Sequence, residues 1–329
     1  MDPLAKDIKN GEFARAYLFK GAERYLIRER VKRLLSAAAP EGALRDMNVT
    51  VFEGKSAGAE AVRDAADTAP FFAERRVVVC RECGFFAPGR KDESDALAAY
   101  IPTIPEWSML ILAEQTADAR LNVYKRLAKT GRIIDCEKPG DADAARWAVK
   151  FAEKRGGRLD PRVADMFLRY VPREMDVWAN ELQKLVDYAG DRPITEDDIK
   201  SVCVRSIESG IFALVGAIGQ GDAKKALNMF ADMLSLKEPP LRVLAMIERQ
   251  FRLIMLSKSL AERGAGRAEV AARLGLRDFQ AREYIAQSAN FTRRGIERAL
   301  ERCLAADADI KSGRMRDRLA VELVILCRD

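Results

Sequence analysis

The chain has 329 residues, 48% hydrophobic and 32% charged, long enough for two or three cores and too apolar for wholesale disorder. Its 56 Lys and Arg against 50 Asp and Glu leave a net charge of +6, which permits contact with nucleic acid without demanding it, because the signs are interspersed. Histidine is absent, which removes the usual general base, the Ser-His and Cys-His nucleophile arrangements and the commonest metal ligand, and lowers the expectation of catalysis.

Residues 1–139 alternate strand and helix patterns. Arg15–Phe19 reads as a strand, followed by a helix with Ile27, Val31, Leu34, Leu35 and Ala38 on one stripe. A phosphate-binding loop at this turn needs G-x-x-x-x-G-K-[ST]. Counting from Gly21 puts Leu26, Ile27 and Arg28 where the last glycine, the lysine and the hydroxyl belong. An apolar Ile27 cannot neutralise a phosphate, so the turn reads as structural rather than as a nucleotide site.

Asn48–Phe52 is the second predicted strand, Ala59–Ala66 a helix, and Arg76–Cys80 the third strand. Arg81 stands where a magnesium-binding aspartate would follow that apolar run, so both halves of a nucleotide site fail together. Cys80 and Cys83 have C-x-x-C spacing, but no second pair completes a zinc site. A redox dithiol usually opens a helix, whereas this pair closes a strand. All six cysteines (80, 83, 136, 203, 303 and 327) read as reduced thiols.

Before the third strand lies TAPFFAERRVVVC, with Phe71 and Phe72 side by side. Neighbouring residues point about 100° apart on a helix and to opposite faces on a strand, so one simple core does not easily take both rings. Two readings stand: one ring caps the sheet while the other covers a helix end, or both form a surface wedge for a partner's pocket. Two rings at about 1.5–3 kcal/mol each would concentrate binding energy as interface hot spots do. Pro70 stiffens the approach, and Glu74, Arg75 and Arg76 are candidates for a polar rim.

A helix over Lys91–Tyr100, a strand over Ser108–Ala113, a helix over Asn122–Lys129 and a strand over Arg132–Cys136 complete five strands separated by helices. That order predicts a doubly wound parallel sheet. Pro139-Gly140 marks the expected boundary, beyond which the pattern is all-helical. Three or four helices run to about Val204, the last opening on Thr195 and Asp198 at capping-box spacing. The helical remainder starts near Ser206 and turns sharply at Lys237–Arg242. Apolar stretches are short, about half a membrane span at Ile211–Gly219, and no charged-then-apolar leader opens the chain, so cytoplasmic residence is expected.

Val270–Ser288 has helix-turn-helix character, with Gly275 at the turn and Arg277, Gln280 and Arg282 available to a major groove. The plainer reading is a hairpin packed by Val270, Leu274, Leu276 and Ile285. Arg249, Arg252 and Lys258, then Lys311, Arg314, Arg316 and Arg318, are basic residues for a solvated face or non-specific phosphate contact.

Several stretches together resemble one family: YLFKGAERYLIRERVKRLL, then MNVTVFEGKSAGAEAVRDAADTAPFFAERRVVVCRECGFF, then GDAKKALNMFADML, ERQFRLI and ADADIKSGRMRDRLAVELVIL. In this order and spacing the chain resembles, over essentially its whole length, the delta subunit of the bacterial DNA polymerase III clamp loader. The resemblance implies a fold that is α/β plus all-α: a degenerate AAA+-like domain over 1–139, a small helical lid-like domain over 140–205 and a helical collar domain over 206–329. It also implies a non-catalytic subunit, without cofactor or metal, of a nucleotidyltransferase complex in DNA replication. The implied partners are the sliding clamp, the loader's ATPase subunits and delta-prime in a hetero-pentamer, and primer-template DNA.

By that resemblance the clamp contact is an apolar pair at the tip of the helix before the third strand, falling here on Phe71 and Phe72 beside Pro70. Family members often carry Leu-Phe there, so Phe71 departs from the pattern. Gly21, Leu26, Ile27, Arg28 and Arg81 would be the relics of a non-functional nucleotide site, and Arg249, Arg252, Lys311 and Arg314 candidates for DNA contact. A helix-turn-helix DNA-binding protein is the alternative function; an ATPase is a third.

Overall fold

The computed structural model describes residues 3–39, 42 and 44–326; Cys327 lies outside them. Two compact units divide the chain, residues 1–146 and 147–329. The first opens with α1 (Pro3–Asn10), β1 (Ala16–Lys20), α2 (Arg24–Ala38), α3 (Arg45–Asn48) and β2 (Val49–Glu53). It continues with α4 (Ala59–Asp67), β3 (Arg76–Arg81), α5 (Lys91–Tyr100), β4 (Ser108–Glu114), α6 (Asn122–Thr130) and β5 (Arg132–Asp135). The strands form one parallel sheet in the order β2-β3-β4-β1-β5.

Strand periodicity assigns the two faces. Val77 and Val79 of β3, Met109 and Ile111 of β4, and Tyr17 and Phe19 of β1 pack with Ile27, Val31 and Leu34 of α2. Val78, Leu110 and Leu18 point the other way, into a layer with Val62 of α4, Leu97 of α5 and Leu127 of α6. Helices on both faces leave β4 buried along its whole length, which is why its sequence is an unbroken apolar run. The edge strand β2 is only half buried.

The second unit takes up α7 (Asp141–Glu153), within which the division falls, then β6 (Arg158–Leu159), α8 (Pro161–Tyr170), α9 (Met175–Ala189), β7 (Pro193–Ile194) and α10 (Glu196–Val202). The β6–β7 parallel pair corrects the all-helical expectation for this stretch; two-residue strands leave no alternation to read. The capping box forms: the Thr195 hydroxyl accepts from the Asp198 N–H (3.3 Å) and the Asp198 carboxylate accepts from the Thr195 N–H (2.8 Å). Arg192 grips the same carboxylate through both its oxygens (2.6 and 2.8 Å) and holds Asp198 well below the usual carboxylate range.

The chain then runs through α11 (Ile207–Gln220), α12 (Ala223–Ser235), α13 (Pro240–Glu262), α14 (Arg267–Leu274), α15 (Asp278–Ser288), α16 (Arg293–Lys311) and α17 (Asp317–Leu326). Leu214, Phe230, Ile247, Phe251, Ile296 and Val321 meet in one core. Inside it the Tyr284 hydroxyl donates to Gln250 Oε1 (2.7 Å), Gln250 Nε2 to Gln287 Oε1 (2.8 Å), and Gln287 Nε2 to the Phe212 carbonyl (2.8 Å). Among the described residues no single helix is long and apolar enough to cross a membrane.

Candidate functional site: a paired-phenylalanine loop at the sheet edge

Helix α4 ends at Asp67, and Phe71 and Phe72 lie on the irregular loop that carries the chain to β3. They are therefore not at a helix tip, which corrects the sequence expectation. Thr68, two residues before Pro70, closes α4 through its hydroxyl, which donates to the Asp64 carbonyl (2.8 Å). The reading in which each ring covers part of the core also fails. Phe71 is 49% exposed and Phe72 is 83% exposed. The rings meet edge to face, centroids 4.7 Å apart and planes at 89°, an arrangement aromatic quadrupoles favour.

Phe72 has φ +46°, a region uncommon for residues other than glycine. Two side chains hold the loop there. Asn48, buried at the end of α3, bonds to both backbone groups of Phe71. Arg76, at the start of β3, donates to the Ala65 carbonyl (3.0 Å), to Thr50 Oγ1 (2.8 Å) and to the Met47 carbonyl. Arg76 is thus an internal tie rather than a rim charge. Arg75 lies over the Phe13 ring, 5.2 Å from its centroid, and Glu74 alone of the three is exposed. Leu44 (40% exposed) and Met47 (55% exposed) add apolar surface on the segment tied to Phe71 and Arg76.

Sequence reading missed Asn48, which it placed in a strand. A four-residue helix carries no periodicity to detect, and the apolar run of β2 follows at once. The available signal was a single Asn before that run.

The strand–turn–helix after β1 is closed on itself. Gly21 has φ +140°, and a Cβ there would come within 2.4 Å of the Cys136 carbonyl carbon and oxygen. The Glu23 N–H donates to that same carbonyl (2.9 Å). The Glu23 carboxylate caps α2 by accepting the Tyr25 N–H (3.1 Å), so a carboxylate of the chain occupies the helix end where a phosphate would sit. Ile27 is buried in the sheet's helix layer, Leu26 packs beside it, and Arg28 lies over the Tyr25 ring. Arg81 pairs with Glu53 (2.8 Å) at the end of β3.

Nearby, Glu114 ends β4 with its carboxylate accepting the Gly84 N–H (2.8 Å). Burial pushes its pKa up to about 7. The Cys80 and Cys83 thiols are buried, and their mutual interaction raises Cys80 and lowers Cys83, whose thiol donates to the Phe52 and Arg81 carbonyls (3.8 and 3.6 Å). Among the described residues no group of three His, Cys, Asp or Glu side chains is placed to hold a metal.

In the second unit Gly275 ends α14 in the left-handed conformation, φ +62°. Val270 and Ala281 are fully buried, with Leu274 and Ile285 packed beside them. Gln280 accepts the Arg277 N–H (3.1 Å), and Arg277 lies over the Phe279 ring, 4.5 Å from its centroid. Of the three groove candidates Arg282 alone is exposed while Arg277 and Gln280 are half-buried, and the packing of Val270, Leu274, Ala281 and Ile285 fits the hairpin reading. Arg249 is exposed; Arg252 pairs with Glu248, Lys311 with Asp307 (2.7 Å) and Arg314 with Asp309 (3.1 Å). Exposed pairs of this kind are worth about 0–1 kcal/mol and open readily to another anion.

A family model for the DNA polymerase III delta subunit matches residues 17–137, and one for that subunit's C-terminal domain matches residues 208–327. The DNA polymerase III subunit delta of Bacillus subtilis is 28% identical over 98% of this chain and 94% of that protein. A solved Bacillus subtilis structure, the DNA clamp loader delta protein YqeN, is similar with TM-score 0.65 at 27% identity, over 98% of this chain and 97% of that one. A more distant likeness is to RuvB of Thermotoga maritima, TM-score 0.40 at 13% identity, over 87% of this chain and 84% of that one. The parallel sheet followed by a helical C-terminal region is the α/β plus all-α combination expected from the sequence, and the chain belongs to the DNA polymerase III delta subunit family.

Proposed function

We propose that this chain is the clamp-opening subunit of its loader, and that Phe71 and Phe72 are the wedge that enters the sliding clamp. The observation that carries the reading is the pair itself: two adjacent phenylalanines, 49% and 83% exposed, on a loop tied down by half-buried hydrogen bonds. An unpartnered apolar surface on a rigid support is what a protein–protein hot spot requires. Ring opening follows by linkage, since the wedge shifts the clamp toward the open state only as far as it binds that state better than the closed one.

In this reading ATP is hydrolysed by the ATPase subunits and not by this chain. The crowded Gly21, the Glu23 carboxylate at the start of α2 and the apolar Ile27 all support that division. In the same reading the chain is organised in three parts, 1–139, 140–205 and 206–329, and the last part would join a hetero-pentameric collar with the ATPase and delta-prime subunits. Arg249, Arg252, Lys311 and Arg314 would meet primer-template phosphates as the assembled loader encircles DNA in the cytoplasm.

The test is binding of the full-length chain to the sliding clamp of the same cell. Replacing both rings, Phe71→Ala with Phe72→Ala, should weaken binding by about 3–5 kcal/mol while the fold stays intact, because both side chains are largely exposed. Wild-type affinity in the folded double variant would refute the wedge.

A further inference from the structure

Asn48 is the last residue of α3, one position before the edge strand β2, and it is 2% exposed. Its Oδ1 accepts the Phe71 N–H (2.6 Å), and its Nδ2 donates to the Phe71 carbonyl (2.8 Å) and the Leu44 carbonyl (2.9 Å). A carboxamide bonded to both polar groups of one residue reproduces the double bond exchange of an antiparallel strand pair, with a side chain in place of the second strand. The chemistry fixes which end of the amide faces which group, since the N–H requires an oxygen and the carbonyl requires a donor.

The bracket acts on the residue beside the strained one. Phe72 follows Phe71 directly and holds φ +46°, a conformation that persists only where the surroundings over-determine it. With Phe71 fixed by Asn48 on one side and Arg76 tied to the Ala65 and Met47 carbonyls on the other, the intervening turn has few alternatives. Residue type matters here. Asp cannot donate to the two carbonyls, and Ala pairs with neither group.

We infer that Asn48 is a positioning residue for the wedge: its buried carboxamide brackets the Phe71 backbone and presents both rings already arranged for the sliding clamp. The inference rests on the reading of Phe71 and Phe72 as the clamp contact. Pre-arrangement matters because a binding-competent conformation held by only a fraction of molecules weakens apparent affinity by that fraction.

The experiment is a double-mutant cycle on the full-length chain with the sliding clamp of the same cell. It compares wild type, Asn48→Ala, the Phe71→Ala/Phe72→Ala variant and all three changes together, at clamp concentrations that reach the weakened binding. Asn48→Ala should weaken binding about tenfold or more, and should add nothing once the rings are gone. In the free protein, hydrogen exchange should show the Phe71 amide losing protection in Asn48→Ala while Val77–Cys80 of β3 keep theirs. Wild-type affinity in Asn48→Ala, an equal loss with and without the rings, or unchanged Phe71 protection each overturns the inference. Wild-type affinity in the variant lacking both rings overturns the clamp-contact reading first, and the inference with it. Asn48→Asp, which keeps the acceptor and loses both donations, carries the same cycle if Asn48→Ala does not fold.

Discussion

Replacing Phe72 by glycine and by alanine should invert the usual order of stability while removing the same function. In an ordinary segment a glycine is the less stable choice, because it gains more freedom in the unfolded chain. At φ +46° the alanine retains the strain of a left-handed L residue, about 1–2 kcal/mol, which the glycine escapes. Phe72→Gly should therefore be more stable than Phe72→Ala by about 1 kcal/mol. Binding responds differently. The ring is 83% exposed, so at about 200 Å² a ring it offers roughly 165 Å² to a pocket, or about 4 kcal/mol as a ceiling at 25 cal/mol per Å². Both variants should lose about 2–4 kcal/mol of clamp affinity. Urea unfolding supplies the first comparison and titration against immobilised clamp the second. A glycine variant less stable than the alanine variant would refute the strained turn, and a variant that binds like wild type would refute the wedge.

The buried Glu114 carboxyl, with its folded pKa raised from 4.5 to about 7, favours folding when protonated; that contribution fades as pH rises from about 4.5 through 7. Glu114→Gln should thus stabilise the protein at pH 8 by on the order of 1–3 kcal/mol, with the advantage shrinking below pH 5, as measured by denaturant titration across pH. Gly21→Ala should destabilise by about 2 kcal/mol or more, since its Cβ would sit 2.4 Å from the Cys136 carbonyl at φ +140°. Thermal melting that matches wild type would contradict the closed turn.

The sheet was legible because its strands are buried on both faces, so β3 and β4 stand out as apolar runs between polar turns. The Thr195–Asp198 cap was legible because it is local, its two residues three positions apart, and fixed by chemistry. The phenylalanine pair could be found by its oddness, but not its geometry. Asn48 reaches Phe71 across 23 positions of sequence, and nothing in either stretch announces the other. Arg76 misled for a related reason: charge suggests solvent, yet its guanidinium finds three acceptors on neighbouring segments. Left-handed Phe72 runs against its own backbone preference, so local propensity pointed away from the observed turn.

The attachment of the ring-bearing loop also sets how it responds to a pull. On one side it runs into β3, whose parallel register holds it from Arg76 against Ser108 through Arg81 against Ala113, and to β2 on its other edge. Tension along β3 loads those ladder bonds together in shear, where all must yield at once. On the other side the loop meets the last turn of α4, which frays bond by bond. The arm is therefore stiff toward the sheet and compliant toward the helix. A load on the two rings would be carried through β3 into the sheet rather than into α4.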